Sequence, residues 1–254
     1  MSKRFICLLK TVACLGLVLF LWSCTQTSIE GWEDSDTPRH APAALPLAYE
    51  GITELRRGDI IVRANSNIFP GTTFVEGGWN YGHAAIITHA ASGHHPDSIL
   101  SKARMFESHA RNLPRMHQLR EVKALDLNKN PLLFTDSFSA KYTGTRYRLR
   151  LNIPESQLEE IITFVESQKG SYSSWNASKS FPDTPAVLHM LQQGQRDHWA
   201  DNTHWYCSLL VWQAVLYVTG IDLDPNGGYY VYPNDLIASP WFNNTGIHKG
   251  RTRF

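Results

Sequence analysis

Five short segments of the chain have either an alternation of apolar and polar residues or a short apolar run, and these patterns predict β-strands. The segments are 59–63, 84–88, 105–109, 121–127 and 147–151. The first follows a turn at Gly58, and in the third Phe106 and Ser108 alternate with Glu107 and His109. Because strands of this kind bury one face, we expect them to form a small antiparallel sheet.

Two later segments have the spacing of helices. The first has Pro154 in its first turn, Gly170 as its stop, and apolar residues at Leu158, Ile161, Ile162 and Val165. The second begins near Cys207 and ends at Gly220, with an apolar stripe at Cys207, Leu210, Val211, Ala214, Val215 and Val218. Strands followed by helices predict an α+β domain in which the sheet packs against helices.

The N-terminus has the parts of an export signal, which are two basic residues, an apolar stretch and small residues at its end. Its uninterrupted apolar part, 12–22, is shorter than the roughly 20 residues of a membrane-spanning helix. We therefore expect a cleaved signal over 1–23. The segment 21–24 resembles a bacterial lipobox, and this resemblance implies that Cys24 is lipidated.

The segment 24–48 is rich in Thr, Ser, Asp, Glu and Pro, so it is predicted to be a flexible tether. A single domain over 49–254 follows. The lipid at Cys24 would attach the protein to a membrane of the cell envelope, at the outer membrane or the periplasmic face. The formal net charge of +1 and the lack of basic runs argue against nucleic acid as a partner.

Cys207 is the candidate nucleophile. The signal contains Cys7 and Cys14, and Cys24 is the lipidation site, so Cys207 has no expected disulfide partner. The free N–H groups and dipole at a helix N-terminus lower the pKa of a thiol there. Its place on the apolar stripe favours a buried structural role equally.

His83 is the candidate base, because it follows a glycine-rich loop at the start of a predicted strand and imidazole titrates near neutral pH. A structural histidine at the strand end is the alternative. Glu107, on another predicted strand, can accept the second ring N–H and fix the tautomer of the imidazole. An exposed glutamate on the strand face is the alternative, and His109, on the same face as Glu107, can substitute for it.

The order of these segments resembles the YiiX-like family of circularly permuted, NlpC-type papain-like proteins. The matching segments begin at Gly58, Gly82, Phe106, Tyr206 and Val231, and the resemblance covers about 55–239. It implies a permuted papain-like fold with Cys207 as nucleophile, His83 as base and Glu107 as third residue. Candidate substrate-binding residues are Tyr81, Trp205, Tyr206 and Tyr230, and no cofactor is expected.

The expected function is that of a cysteine hydrolase that cleaves amide bonds, and the resemblance suggests cell-wall peptides as substrate. A lipid-directed acyl hydrolase or acyltransferase would use the same triad and an apolar groove, for which Trp175, Trp199, Trp205 and Tyr230 are candidates. A non-enzymatic ligand-binding lipoprotein is a third possibility. A metal hydrolase built on His83, His89, Glu107 and His109 is the least supported, because no metal-binding motif accompanies these residues.

Overall fold

A computed structural model describes residues 50–64, 81–109, 113–125, 146–175, 177–184, 198–226 and 228–254. The predicted signal, the predicted lipidation site Cys24 and the predicted tether 24–48 lie outside these ranges. The strands are β1 (Glu54–Leu55), β2 (Ile60–Ala64), β3 (Tyr81–His89), β4 (Ala91–Ser92), β5 (Arg104–Ser108), β6 (Leu119–Lys123), β7 (Arg146–Leu149), β8 (Tyr172–Ser173), β9 (His204–Trp205) and β10 (Arg251–Arg253). The helices are α1 (Pro96–Lys102), α2 (Glu155–Ser167), α3 (Cys207–Thr219) and α4 (Pro233–Ala238), and short 3₁₀ helices lie at Arg115–His117 and Pro240–Phe242. Within these ranges, no helix combines the length and apolar character that a bilayer crossing requires.

Six strands form one antiparallel sheet in the order β10, β7, β2, β3, β5, β6. Ile86 of β3 pairs with Ile60 of β2 on one side and with Phe106 of β5 on the other. On the next strand pair, Glu107 lies opposite Arg120 of β6. The predicted antiparallel sheet and the α+β class are therefore confirmed, and the two strands that carry the candidate base and carboxylate are neighbours.

The two faces of this sheet contribute to different apolar clusters, as the period of two along each strand requires. Ile60, Val62, Ala84, Ile86 and Phe106 belong to the larger cluster, which also contains most of the buried apolar side chains of α2, α3 and α4. Ile61, Ala85, Ile87 and Met105 belong to the smaller cluster, which contains Ile99 and Leu100 of α1. The helix that begins at the candidate nucleophile therefore packs against the more extensively covered face.

Helix α3 is buried around its whole circumference over its first ten residues, Cys207 to Leu216. Ser208 and Gln213, which lie off the predicted apolar stripe, are both 0% exposed. The Ser208 Oγ donates a hydrogen bond to the Val231 carbonyl at 2.7 Å, so this buried hydroxyl is paired. The helix ends at Gly220, whose φ of 71° is the left-handed cap that glycine adopts without strain.

Gly58 holds the turn before β2 close to α2. Its φ is 80°, and a Cβ atom there would lie 2.6 Å from Cδ2 of Leu158. Its N–H donates to the Ile87 carbonyl at 2.9 Å, which ties the turn to β3. Both the backbone conformation and the close approach of the helix therefore require glycine at this position.

The strands predicted at 59–63, 84–88, 105–109 and 147–151 correspond to β2, β3, β5 and β7, with shifted ends. The strand predicted over 121–127 is displaced, because β6 runs from Leu119 to Lys123, where buried Leu119 pairs with Ser108. Both predicted helices are present as α2 and α3. The sequence pattern did not reveal α1, α4 or β10, which are short.

Candidate active site

Three elements bring the candidate nucleophile, base and carboxylate together. His83 is on β3, Glu107 is on the neighbouring β5, and Cys207 is the first residue of α3, with Tyr206 as its N-cap. All three candidate side chains are buried, with exposed fractions of 5% for His83, 1% for Glu107 and 7% for Cys207. Cys207 is a free cysteine.

His83 and Glu107 are directly hydrogen-bonded. The Nε2 atom of His83 lies 2.9 Å from Oε2 of Glu107. The other carboxylate oxygen, Oε1, accepts hydrogen bonds from Arg120 Nη2 at 3.0 Å and Nε at 3.2 Å. Glu107 is therefore held between an imidazole and a guanidinium, and this arrangement fixes the orientation of the His83 ring.

The Cys207 thiol is hydrogen-bonded to the His83 side chain and to the backbone N–H groups of Ala84 and Ser208. Since Nε2 of His83 is engaged by Glu107, Nδ1 is the ring nitrogen that remains for the sulfur. The paired ladder between β3 and β5 runs from Ile86 to His89, so His83 and Ala84 precede it at the end where α3 begins. The sulfur is thus surrounded by groups that favour its anionic form.

The electrostatics of the site favour a charged thiolate and a charged imidazole. Burial opposes charge on both groups, but it is outweighed by the attraction and hydrogen bond between Cys207 and His83 together with the Glu107 bond to His83 and the backbone N–H groups at the sulfur. As a result the pKa of the Cys207 thiol is lowered and the pKa of His83 is raised. Burial also opposes ionisation of Glu107, yet the bond to His83 and the charges of His83 and Arg120 bring its pKa to about 2.

Arg120 is a site residue that the sequence reasoning did not find. Its side chain is 18% exposed, whereas that of its partner Glu107 is fully buried. The available signal was that Glu107 and Arg120 have opposite charges and can lie directly opposite each other on neighbouring strands. Such cross-strand pairs stabilise antiparallel sheets. That signal was missed because the strand was expected to begin at residue 121, one position after Arg120.

His109 lies beside this group but does not replace Glu107 as the partner of His83. The two imidazole rings meet edge to face with 5.9 Å between their centroids. Burial, opposed in part by the Glu107 carboxylate, lowers the pKa of His109 to about 4. Among the residues that the structure describes, the buried Nε2 atom of His109 has no hydrogen-bond partner. His109 is therefore a neutral imidazole near neutral pH.

The candidate substrate-binding residues have different environments. Trp205 is 0% exposed and meets Phe164 edge to face at 6.1 Å, which places its side chain in the core. Tyr206 is 2% exposed, and its hydroxyl accepts the Val231 N–H at 3.2 Å. Tyr230 is partly exposed, and Tyr81 is the first residue of β3, with a side chain outside the described part of the chain.

A second group is centred on Trp175, which the sequence named as a candidate for an apolar groove. This indole is 40% exposed and stacks on Tyr206, with 4.3 Å between ring centroids and an interplanar angle of 17°. The rings of Tyr230 and Tyr232 lie 6.5 and 6.3 Å from it. We call these four residues the aromatic platform. Trp199, by contrast, packs on Tyr217 with 5.8 Å between the ring centroids.

The four residues considered for a metal hydrolase are not all close together in the structure. His83, Glu107 and His109 are close, but His89 lies at the other end of β3, where its Nδ1 is 2.9 Å from Oε1 of Glu121. Over the described ranges, no group of three or more His, Cys, Asp or Glu residues is arranged to hold a metal ion. The structure instead shows a chain of contacts in which Cys207 is hydrogen-bonded to His83, and His83 is hydrogen-bonded to Glu107.

The chain is thus an α+β protein in which α3 begins with a cysteine that contacts a histidine of the sheet, and this histidine contacts a glutamate of the neighbouring strand. No protein-family model matches it. A stretch of 90 residues is 29% identical to YycO, an uncharacterized protein of Bacillus subtilis (strain 168), and covers 35% of each chain, so the match spans about a third of that relative. The crystal structure of the metalloprotein yiiX from Escherichia coli O157:H7 resembles this fold with a TM-score of 0.42 and 12% sequence identity, over 78% of this chain and 96% of yiiX.

Proposed function

We propose that this protein is a cysteine hydrolase that cleaves amide bonds, with Cys207 as nucleophile, His83 as general acid and base, and Glu107 as orienting carboxylate. The observation that carries the proposal is the continuous contact from the thiol through the imidazole to the carboxylate, together with the lowered pKa of the thiol. A buried cysteine with a purely structural role would not require an imidazole and two backbone N–H groups at its sulfur.

The reaction begins when the Cys207 thiolate attacks the carbonyl carbon of the substrate and forms a carbon–sulfur bond. The negative charge moves to the carbonyl oxygen, which the backbone N–H of Cys207 stabilises, because the first N–H groups of a helix lack intrahelical partners. His83 then gives its proton to the leaving nitrogen as the carbon–nitrogen bond breaks. In the second half, His83 takes a proton from water, the resulting hydroxide attacks the thioester, and Cys207 leaves as thiolate.

Arg120 and Glu107 support this chemistry without touching the substrate. The carboxylate holds His83 in the tautomer and orientation that present Nδ1 to the sulfur, and it stabilises the imidazolium. Arg120 keeps the carboxylate ionised and fixed from its other side. Arg120 is therefore proposed as a positioning residue of the same site.

The order of the elements supports a circularly permuted papain-like arrangement, with the histidine strand β3 before the cysteine helix α3 in the chain. By analogy with proteins of this kind, we propose peptide amide bonds of cell-wall fragments as the substrate. Lipidation at Cys24 would hold the enzyme at the cell envelope, close to such a substrate. The proposed substrate class is based on analogy of fold, whereas the proposed reaction is based on the residues of the site.

Alkylation of Cys207 tests the reactivity of the site. In the full chain, iodoacetamide at about pH 6 should modify Cys207, because an ordinary thiol with a pKa near 8.5 is almost wholly protonated there. Mass spectrometry of the peptide that contains Cys207 separates it from the N-terminal cysteines. His83→Ala should move the alkylation profile to higher pH, and Glu107→Gln should move it less in the same direction.

A matched control is His89→Ala, since His89 is on the same strand and also contacts a glutamate. This control should leave the profile of Cys207 in place. If His83→Ala and His89→Ala have the same effect, or if Cys207 does not react below about pH 7, Cys207 is not an activated nucleophile. Acyl transfer is tested next with an activated ester, which should add its acyl group to Cys207 and to no residue of Cys207→Ser.

A further inference from the structure

The two residues that flank the proposed nucleophile bind the same residue of the stretch between α3 and α4. The hydroxyl of Tyr206, the residue before Cys207, accepts the Val231 N–H at 3.2 Å. The Oγ of Ser208, the residue after Cys207, donates to the Val231 carbonyl at 2.7 Å. Tyr206, Ser208 and Val231 are all buried. Both polar backbone groups of Val231 are therefore held by side chains on either side of the nucleophile.

The start of α3 has no conventional cap. Tyr206 is the N-cap residue, but its side chain makes no capping hydrogen bond. A Ser, Thr, Asp or Asn at this position would accept the backbone N–H of the second or third helical residue. The second helical residue is Ser208, whose N–H is hydrogen-bonded to the Cys207 sulfur. A tyrosine bound to Val231 therefore holds the helix start without competing for this N–H group.

Val231 is anchored in the part of the fold that surrounds the site. It belongs to the larger apolar cluster and lies two residues before the start of α4. The next residue, Tyr232, is the N-cap of α4, and its N–H donates to Asp235 Oδ2 at 2.7 Å. Helix α4 packs against α3 and also against β3, the strand that carries His83. Val231 therefore connects the first turn of α3 to an element that also contacts the strand of the proposed base.

The proposed reaction requires two groups at the start of α3 to stay in fixed places. The Cys207 sulfur has to remain against His83, and the Cys207 N–H has to point at the carbonyl oxygen of the substrate. Since both groups belong to one residue, a small rotation of the first helical turn would displace them together. The two bonds to Val231 oppose this rotation, because they hold the residues immediately before and after Cys207.

We propose that Ser208 is a positioning residue of the site, whose hydrogen bond to Val231 fixes the first turn of α3 so that the thiol and the N–H of Cys207 keep their reactive geometry. Tyr206 has the same role through the Val231 N–H. The Ser208 hydroxyl acts through the position of Cys207 and not on the substrate. The inference rests on the proposed function, because it concerns the geometry of that reaction.

The pH profile of Cys207 alkylation by iodoacetamide gives the first test, in the full chain. Ser208→Ala deletes one hydroxyl, and Tyr206→Phe deletes the other while it keeps the ring of the aromatic platform. Each variant should move the profile to higher pH by about half a unit to one unit, since a weakened hydrogen bond at the sulfur changes the thiol pKa by about that much. The double variant should move it by less than the sum, because both bonds hold one residue.

Thr219→Val is the matched control. Thr219 is the last residue of α3, and its Oγ1 donates to the Val215 carbonyl at 2.7 Å, so this variant also removes a hydroxyl that is bonded to a backbone carbonyl. The deletion lies at the opposite end of the helix from the nucleophile. A loss of stability without an effect on the site leaves the alkylation profile in place, and Thr219→Val should show this behaviour.

Reaction with p-nitrophenyl acetate tests the placement of the Cys207 N–H. The thiolate forms a carbon–sulfur bond with the acetyl group and p-nitrophenolate leaves, so this reaction develops an oxyanion, whereas alkylation by iodoacetamide does not. Both rates are measured well above the midpoint of each profile, after subtraction of the rate of Cys207→Ser. The ratio of acylation to alkylation should fall by about tenfold in Ser208→Ala, because a misplaced oxyanion donor loses part of its effect. In Thr219→Val the ratio should equal that of the wild type.

The comparison with Thr219→Val decides the outcome. A change of the profile or of the ratio in Ser208→Ala that Thr219→Val does not show supports the positioning role, and Tyr206→Phe decides alone if Ser208→Ala does not fold. If the folded variants match Thr219→Val in both quantities while the wild-type thiol reacts at about pH 6, the positioning role alone is wrong. A wild-type Cys207 that does not react below about pH 7 contradicts the hydrolase and the positioning role together.

Discussion

Replacing His109 by glutamine tests the electrostatic account of the site in a pH range where the protein can be handled easily. The pKa of His109 is lowered from 6.5 to about 4, chiefly because its imidazole is buried beside His83. In the unfolded chain the same ring takes up a proton at its ordinary pKa. As the pH falls from 6.5 towards 4, the unfolded state therefore binds the proton first, and the free energy of unfolding decreases.

The size of this loss follows from the two pKa values. Between about pH 7 and pH 5, the unfolded ring becomes almost fully protonated while the native ring stays mostly neutral. With about 1.4 kcal/mol for each tenfold difference in proton affinity, the loss is at most about 2 kcal/mol, because pH 5 lies only about 1.5 units below the ordinary pKa of 6.5. Glutamine keeps a polar side chain at this position but does not titrate, so His109→Gln should remove most of this pH dependence.

The assay is urea unfolding of the wild type and of His109→Gln at both pH values. For each protein we compare the free energy of unfolding at pH 7 with that at pH 5. The difference between the two proteins in this change reports on residue 109, because the other titrating groups are common to both. His89→Gln, at an exposed position at the end of β3, controls for the loss of one histidine. If His109→Gln loses as much stability on acidification as the wild type, to within about 0.5 kcal/mol, the imidazole is not held neutral as described.

Three further substitutions test other parts of the structure. Arg120→Gln should move the alkylation profile of the nucleophile to higher pH by up to about one unit, because the orienting carboxylate loses its cation, whereas Arg104→Gln, on the same strand pair, should not move it. An equal effect of both would contradict the positioning role. Gly58→Ala should lower the free energy of unfolding by about 1–3 kcal/mol more than Gly51→Ala, since both have a positive φ but a Cβ clashes only at the former; equal urea midpoints would refute this. Cys24→Ala should release the protein from the membrane fraction, and unchanged partitioning would exclude lipidation there.

The local elements of this fold were predictable from the sequence, because they depend on neighbouring residues. The alternation around Phe106 and the glycine at position 220 predicted a strand and a helix end that the structure contains. Short elements such as α1 and β10 have too few periods to be recognised. The ends of β6 depend on pairing with β5, and a single sequence carries little information about register.

The site was only partly predictable, for a related reason. Cys207 and His83 were identified by their residue types at the starts of predicted elements, and Glu107 as a carboxylate on another predicted strand; in the structure His83 contacts both of the others. Arg120 was missed because its place opposite Glu107 depends on strand register. Trp175 was named as a candidate for an apolar groove, but its stacking on Tyr206 depends on tertiary contacts. Trp205, expected to face a substrate, packs in the core, because tertiary contacts decide which aromatic residues beside a nucleophile are buried.

The separation of the site residues along the chain has a consequence for the timing of activation. His83 and Glu107 are 24 positions apart, whereas Cys207 belongs to a helix that docks on β3 much later in the sequence. A newly made or unfolded chain therefore carries a cysteine of ordinary acidity, which is mostly an unreactive thiol at neutral pH. The lowered pKa of this thiol therefore requires α3 to be packed against β3, so the thiolate is favoured only in the folded protein.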